Sequence, residues 1–404
     1  MPRSFRLLAS MLVGAAALCA QDISQYTNFT LFDKTFQFHG FVSEGYAYSN
    51  DNNYLTMQTS KGTFAMTDAG VNVSTQLTDR LRIGAQVYDR DIGQLGKWHP
   101  SLDWGYVDYK FADWFGVRGG KVKTVLGLYN DTQDMEALHT WAILPQSAYP
   151  LDLRATNIAH TGGDVYGNIS LHKAGSLAYT GYAGLRSFDP WGGYYYFSVA
   201  SGFNIEHVSG HTEGFDVRWN TPISGLLVGT SWVNSTIDRG GQWINGPFSG
   251  YSYDITVNPE RTIAGYLEFI RNKWHFAGEF RNYNDLDEIS ASLLGSKPFP
   301  YQAGDQESFA SAAYRVSKYI ELGTYYSHYH VDSPTAGDPN SSHINDNTAT
   351  VRFDLMSHWD LKIEEHFIRG YGTTYSAHGF YSTQNPEGFK PNTDLLVVRT
   401  GWSF

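Results

Sequence analysis

The sequence predicts an all-β protein: a transmembrane, antiparallel, up-and-down β-barrel of about sixteen strands. Apolar and polar residues alternate in paired segments joined by short polar turns, which is the pattern of hairpins with one apolar face. Longer polar connections separate these hairpins. Aromatic residues make up 16% of the chain and 41 of its 404 residues are glycine, as in proteins where many twisted strands meet sharp turns.

One hairpin illustrates the repeating unit. Apolar residues and Thr75 occupy alternate positions from Ala69 to Leu77, a turn follows at 78–80, and apolar residues alternate again from Leu81 to Val87. Seven such hairpins give fourteen strands, and one strand at each end, 36–48 and 393–404, brings the number to sixteen. An even number allows an up-and-down barrel to close. The other six turns lie near 112–114, 172–175, 222–225, 271–273, 317–318 and 356–358.

Eight longer connections, rich in Gly, Asn, Asp and Ser, alternate with the short turns. Short turns at a periplasmic rim and long loops at an outer rim are typical of outer-membrane barrels. A soluble β-sandwich or propeller would also alternate, but aromatic residues on the apolar faces, such as Trp232, Trp274 and Phe367, favour the girdles of a membrane barrel. The long connections lie near 49–64, 91–100, 124–162, 186–211, 236–260, 284–306, 330–345 and 370–390.

The first residues predict an export signal. Arg3 and Arg6 precede an apolar run, and the small residue Ala20 comes before Gln21. We therefore expect a cleaved signal peptide at 1–20, an N-terminal periplasmic segment at 21–35 and the barrel at 36–404. Cys19 is the only cysteine, so disulfides and cysteine-ligated metals are not expected in the mature protein.

Charge and motifs exclude several classes of function. The formal net charge is −11 and no stretch is strongly basic, so nucleic acid is not an expected partner. The chain lacks a G-x-S-x-G motif, a P-loop and an H-E-x-x-H motif, so we expect no enzyme and no cofactor. His328 and His330 share one strand face but have no third ligand nearby, and no metal site is predicted.

The C-terminus carries a first resemblance. Apolar residues and Thr400 alternate from Leu396 to Trp402, and the chain stops at an aromatic residue, Phe404. This resembles the last strand of bacterial outer-membrane proteins. The resemblance implies that Phe404 is the signal for the barrel-assembly machinery, and that the protein lies in the outer membrane among lipid and lipopolysaccharide.

A second resemblance comes from 104–150, and above all from the stretch VKTVLGLYND within it. This segment resembles the part of Gram-negative outer-membrane porins that runs through two strands into the third loop. General and phosphate-selective porins share such segments, so the solute stays open. The family implies a water-filled channel for passive diffusion of ions and small hydrophilic solutes. Such channels are usually homotrimers, and their third loop folds into the lumen.

The third loop of this chain, predicted at 124–162, is the longest of the eight and unusually apolar. Long loops with apolar side chains are usually functional. Folding into the lumen would bury those side chains against the wall, and a short helix over 131–139 is expected there. An external lid or a contact with a neighbouring subunit stays open as an alternative. The apolar residues are Met135, Leu138, Trp141, Ile143 and Leu144.

Opposed charges at the narrowest point would set the selectivity of such a channel. The acidic side would be Asp131, Asp134 and Glu136 on the third loop. Strand parity turns several basic residues inward. Among them the porin resemblance, in which strands near the closure face the loop, implies a basic wall of Arg82, Arg118, Arg352 and Arg399. Lys121 and Lys123 fall on the lipid parity unless a bulge at 119–120 turns them inward.

Two other functions compete with the channel. A surface receptor or adhesin would stack aromatic residues of the loops 186–211 and 236–260 on sugars. A barrel hydrolase would need a Ser or Asp nucleophile beside a histidine, and no histidine has an evident catalytic neighbourhood in the sequence. The loop aromatics are Trp191, Tyr194, Tyr195, Tyr196, Trp243 and Tyr251.

Overall fold

A computed structural model describes residues 27–294, 297–332, 334–372 and 379–404. The predicted signal peptide lies outside these ranges. None of the helices within them combines the length and hydropathy needed to cross a membrane. The strands are β1 Asn28–Leu31, β2 Lys34–Ser49, β3 Met66–Gln76, β4 Leu81–Ile92, β5 Ser101–Ala112, β6 Phe115–Lys123, β7 Ala159–Ser170, β8 Ser176–Arg186, β9 Phe203–Ser209, β10 His211–Asn220, β11 Leu226–Trp243, β12 Ser252–Arg271, β13 Trp274–Ala291, β14 Phe299–Arg315, β15 Ile320–Val331, β16 His343–Met356, β17 Trp359–Arg369 and β18 Asn392–Ser403.

Helices are few and short in the described residues. Within these ranges the α-helices are α1 Arg154–Asn157 and α2 Gly193–Ala200. Single turns of 3-10 helix lie in the connections, at Thr59–Lys61, Asn130–Thr132, Glu136–Leu138, His172–Ala174, Gly246–Phe248, Ser292–Leu294 and Pro339–Ser342.

Sixteen strands form one closed antiparallel ring, which confirms the predicted barrel. β18 closes the ring on β2, with Leu395 opposite Ser49 and Ser403 opposite Phe41. The other two strands are additions to the wall. β1 pairs with the first residues of β2, and β9 pairs with the end of β11, so that β8 pairs directly with β10.

The rim of short turns matches the prediction, and the rim of long loops differs from it. All seven predicted turns join neighbouring strands. The loops expected at 236–260 and 284–306 are wrong, because β11 to β14 extend to 18, 20, 18 and 17 residues and leave only 244–251 and 292–298 as connections. The polar residues of these segments remain paired with the neighbouring strand. The pairing of β12 with β13 shifts its register after Val257 and then continues.

The two faces of the wall differ in chemistry, and β17 shows the contrast. Asp360, Lys362 and Glu364 alternate on a buried face, whereas Ile363 and Phe367 lie on the other face with 39% and 42% of their surface exposed. Because successive side chains point to opposite faces of a strand, the charged face is turned to the lumen and the apolar face outward.

An apolar core sits inside the ring. It joins wall residues of β2 to β4 and β15 to β18 with residues of three loops, 50–65, 124–158 and 370–391. The loops thus pack on the inner side of the wall from β15 past the closure to β4. The core residues from the loops are Tyr54, Leu55, Met57, Ala142, Ile143 and Phe380.

Candidate functional site: the lumen

The third loop runs over 124–158, between β6 and β7. Two wall carboxylates accept hydrogen bonds from its backbone. Glu364 accepts from the N–H groups of Ala142 and Ile143, each at 3.0 Å. Glu279 accepts from the N–H of Leu128 at 2.9 Å. These contacts place the loop on the inner side of the wall, where buried backbone groups need such partners.

Wall arginines bind the carbonyl groups of the same loop. Arg352 donates to the carbonyl oxygens of Ala137 and His139 at 2.8 and 2.7 Å. Arg399 donates to the carbonyl oxygen of Ala142 at 3.0 Å. Arginine suits this task because it carries five donors and stays charged. The wall therefore supplies both donors and acceptors to a loop that has little secondary structure of its own.

The short helix expected over 131–139 is wrong. The segment forms two single 3-10 turns, Asn130–Thr132 and Glu136–Leu138. Met135 between them has φ −105° and ψ 63°, which is not helical. The loop bends there because its carbonyl groups bond to the wall instead of to the next helical turn.

Each predicted acidic residue has a cationic partner. Asp131 lies 3.2 Å from Arg218 of β10. Asp134 lies 2.7 Å from Lys123 at the end of β6. Glu136 lies 3.2 Å from Lys362 and 3.5 Å from Arg399. Arg399 is thus the one residue of the predicted basic wall that lies within ion-pair distance of a loop acid among the described residues.

The other three predicted arginines have different neighbours. Arg118 pairs with Asp164 of β7 at 2.9 Å, and Arg352 pairs with Asp354 of its own strand at 2.7 Å. Arg82 is exposed in the lumen and donates to Ser74 Oγ at 3.1 Å. It makes no ion pair in the part of the chain that the structure describes.

Sequence reasoning missed Arg218 and left Lys123 ambiguous. Arg218 stands two residues after Asp216 on β10, so strand alternation alone could have found it. Lys123 is the last residue of β6, where the chain leaves the wall, and its Nζ donates to Asp134 inside the lumen. Lys121 donates to the carbonyl oxygen of Leu102 at 2.6 Å.

Several cavities lie beside the third loop, and two of them meet its first residues. The larger, of about 710 Å³, is lined by Arg82 and Arg118 of the wall together with all three predicted acids. The smaller, of about 280 Å³, is lined by residues of α2 and of β11 to β15. Val125 faces the larger cavity and Leu126 the smaller one. The first residues of the loop therefore separate the two spaces.

Burial shifts the pKa of two groups on the third loop. Burial lowers the pKa of His139 to about 4, although its ring bonds to the carbonyl of Thr132. Burial raises the pKa of Asp152 to about 7, although the hydroxyl of Tyr381 donates to this carboxyl at 2.7 Å. In both cases the loss of hydration disfavours the charged form.

Comparison with known proteins adds the fold family. No protein-family model matches the chain, and no curated protein matches it. Solved structures match over nearly the whole chain. The channel DcaP of Acinetobacter baumannii matches with a TM-score of 0.54 and 11% identity, over 94% of this chain and 100% of its own.

Two further structures agree with the first. The anion-selective porin of Comamonas acidovorans matches with a TM-score of 0.54 and 12% identity, over 92% of this chain and 100% of its own. OmpT of Vibrio cholerae, an outer-membrane protein in a trimer form, matches with a TM-score of 0.54 and 12% identity, over 92% and 99%. The chain has the fold of outer-membrane porins. At these identities the likeness establishes the porin fold, and function must be argued from the lumen.

Proposed function

We propose that the protein is an outer-membrane porin, a channel for passive diffusion of ions and small hydrophilic solutes. One observation carries the proposal. The closed ring turns many charged side chains inward, around a cavity of about 710 Å³, and exposes large apolar side chains on its outer face. An apolar exterior suits lipid, and a polar interior holds water, as in membrane barrels that conduct.

The third loop narrows this channel. Its backbone is bonded to Glu279 and Glu364 on different strands, and it separates the two cavities. A loop held at several points of the wall remains in the path of a solute, whereas an external lid would have no such partners. This supports the inward loop over the lid.

The larger cavity sets the selectivity. Asp131, Asp134 and Glu136 line it from the loop, and Arg82 and Arg118 line it from the wall. Fixed charges at a narrow, poorly hydrated point determine which ions enter. Arg82 matters most on the basic side, because it has no carboxylate partner among the described residues and its charge is available to passing anions.

The proposal includes export to the outer membrane, assembly by the barrel-assembly machinery through Phe404, and a homotrimer. The N-terminal signal, the terminal aromatic residue and the trimer form of OmpT from Vibrio cholerae support these points. It assigns no catalytic residue and no cofactor.

The adhesin alternative has less support. Several aromatic rings of the outer loops are occupied by other side chains. Trp243 packs on Phe203 and Tyr253 at 5.5 Å, and Tyr196 bonds to Gln384 at 2.6 Å. Trp191 and Tyr251 keep 46% and 42% of their surface exposed, so only part of the aromatic set is free to stack on a sugar.

Planar-bilayer recording tests the channel directly. Purified protein should give stepwise openings, and the reversal potential in a salt gradient should report the ion preference. A protein that inserts as a folded, heat-modifiable barrel and yet gives no openings would contradict the proposal.

A further inference from the structure

Two connections of the long-loop rim meet across the mouth of the barrel. α2 lies in the connection that follows β8, and residues 379–391 lie in the connection between β17 and β18. β10 to β17 make up eight strands of the ring on one side of these two connections, and β18 with β2 to β8 make up the other eight. The two connections therefore start from opposite points of the ring, and a contact between them spans the outer mouth.

Tyr196 of α2 makes this contact. Its hydroxyl lies 3.1 Å from the hydroxyl of Thr383 and accepts from the side-chain amide of Gln384 at 2.6 Å. Its ring meets the ring of Tyr381 edge-on, with the ring centres 5.2 Å apart. Within the described ranges, the hydrogen bonds and ring contacts between α2 and 379–391 all involve Tyr196. We call α2 together with 379–391 the strap.

The half of the strap at 379–391 is held firmly on its own rim by the loop 50–65. Asn53 and Asn385 exchange two hydrogen bonds, at 2.7 and 3.0 Å. Asn52 and Lys390 exchange two more, at 2.7 and 2.8 Å. Phe380 belongs to the apolar core inside the ring. This half is therefore anchored at several points on the side of β2 and β18.

The α2 half is anchored on the opposite rim. Tyr194 packs against an apolar cluster that includes Tyr253 and Val257 of β12. Ser198 Oγ accepts from Arg239 of β11 at 3.2 Å. The strap thus has several contacts at each end and a single side chain at its direct joint. Because a region opens most readily where its contacts are fewest, the joint at Tyr196 is the point at which the strap would part.

Both halves also rest on the third loop at Asp152. The hydroxyl of Tyr381 donates to its carboxyl group at 2.7 Å, and the N–H of Gly193 donates to its carbonyl oxygen at 3.0 Å. Asp152 is fully buried beneath them. The strap therefore lies directly over the third loop.

The strap also stands between two cavities. The smaller cavity is lined by Tyr194 and Phe197 of α2 and by strands β11 to β15. A third cavity, of about 290 Å³, is lined by residues of β4 to β6 and of 187–190. These strands belong to opposite arcs of the ring, so the strap divides the outer mouth.

We propose that the strap is a gate at the outer mouth, closed in this structure, which opens when Tyr196 leaves Thr383 and Gln384. Each half then stays on its own rim, and the mouth between the halves becomes free. Loops that cover a site commonly open in this way, with their anchored ends in place. The inference rests on the proposed channel function for its purpose, because a gate acts on solutes that pass.

The distance between the two halves tests the opening without any need for conduction. Spin labels are attached at Val199→Cys on α2 and at Glu387→Cys, both of which are exposed positions. Cys19 is the only native cysteine and lies in the predicted signal peptide, so the labels report on these two sites. Pulsed electron resonance on the full-length protein in detergent should give two distances, one for the closed and a longer one for the open strap.

A variant of the joint should shift this equilibrium. Tyr196→Phe removes the hydroxyl that bonds to Thr383 and Gln384, so the ratio of open to closed strap should rise about fivefold. Tyr195→Phe removes a hydroxyl from the next residue of the same helix and should leave the ratio unchanged. A single distance in the wild type that persists in Tyr196→Phe would overturn the gate, and so would equal ratios in the two variants.

Cross-linking tests whether the strap controls the current. A short, reducible bifunctional thiol reagent joins Tyr196→Cys to Thr383→Cys and holds the strap shut. The cross-link should lower the single-channel current, and reduction should restore it. The pair Tyr195→Cys and Val199→Cys lies within α2 and is the control, since its cross-link leaves the joint free. Heat modifiability on gels verifies that each variant is folded. An unchanged current after cross-linking of 196 to 383 would refute the gate.

The two readouts separate this inference from the proposed channel. Openings in bilayers together with a single label distance would refute the gate and leave the channel intact. Two label distances without openings would refute the channel and leave the moving strap intact.

Discussion

Glu364 on β17 shows how single residues of the wall act. Its carboxylate accepts the N–H groups of Ala142 and Ile143 at 3.0 Å and the hydroxyl of Thr350 at 2.6 Å. The side chain is fully buried, and a buried carboxylate needs several donors to offset its lost hydration. From its position in the sequence, Glu364 could be a charge that sets selectivity. Its contacts instead give it a structural role, because they hold the third loop on the wall.

Replacing Glu364 should release the loop. In Glu364→Ala two buried N–H groups lose their acceptor, at a cost of about 1–3 kcal/mol each. We expect larger fluctuations of single-channel current and faster proteolysis within 124–158. Glu365→Ala removes an acid from the opposite face of the same strand and serves as the control. Identical noise and cleavage in the two variants would argue against the anchoring role.

Asp152 makes the packing of the third loop dependent on pH. Its pKa is raised to about 7 by burial, so the folded state holds a proton that the unfolded state releases near pH 4. Its contribution to stability is therefore full below about pH 4 and falls as the pH rises towards 7. Asp152→Asn stays neutral and should lose this dependence.

The measurement is the temperature at which the barrel unfolds on gels. Between pH 5 and pH 8 the unfolding temperature of the wild type should fall further than that of Asp152→Asn. If the unfolding temperatures of the two proteins change with pH in parallel, Asp152 is not the cause of the pH dependence.

Among the elements, the seam between β2 and β18 has a specific packing. The N–H of Phe404 donates to the carbonyl of Gly40 at 2.9 Å, and the N–H of Gly40 donates back at 3.1 Å. A Cβ on Gly40 would stand 2.6 Å from the ring of Phe404. The glycine opposite leaves the space that this terminal ring occupies.

Gly40→Val should weaken closure of the barrel at this seam. The added side chain displaces the ring of Phe404, so we expect less heat-modifiable barrel in the outer membrane. Gly265→Val on β12, where nothing lies within 4 Å of the added Cβ, is the matched control. Equal yields of the two variants would exclude the packing role.

For the whole molecule, we expect the distribution of charge in the lumen to decide the selectivity of the proposed channel. Asp131, Asp134 and Glu136 are each paired with a cation of the wall or strand end. Removing them leaves Lys123 without an ion pair among the described residues, and leaves Arg218 and Lys362 paired with Asp216 and Asp360. All three acids line the larger cavity together with Arg82 and Arg118. We therefore expect solutes that cross this cavity to pass close to these charges.

Neutralising Asp131, Asp134 and Glu136 together should shift the reversal potential towards anions. The shift should shrink as the salt concentration rises from about 0.1 to 1 M, because the Debye length falls from about 10 to 3 Å. Neutralising the exposed acids Glu206, Asp254 and Glu288 should produce no comparable shift. A reversal potential that stays constant in the first variant would remove these acids from the conduction path.

The sequence by itself determined the class of fold, the sixteen strands of the closed ring and all seven turns, but not the added strands β1 and β9. These follow from local alternation, since the side chains of a strand point to opposite faces at every step. It also placed Arg399 and Phe404 at the closure of the ring. The sequence did not predict the extended ends of strands β11 to β14, because polar residues beyond the membrane band have the composition of loops.

Only the tertiary structure decided the contacts of the third loop. Asp131 meets Arg218 and Glu136 meets Lys362 across chain separations of 87 and 226 residues, and no periodic pattern encodes such pairs. The path of an irregular loop depends on which wall groups satisfy its backbone, and those groups come together only when the ring closes. The same closure brings α2 and 379–391 from opposite sides of the ring into contact at Tyr196.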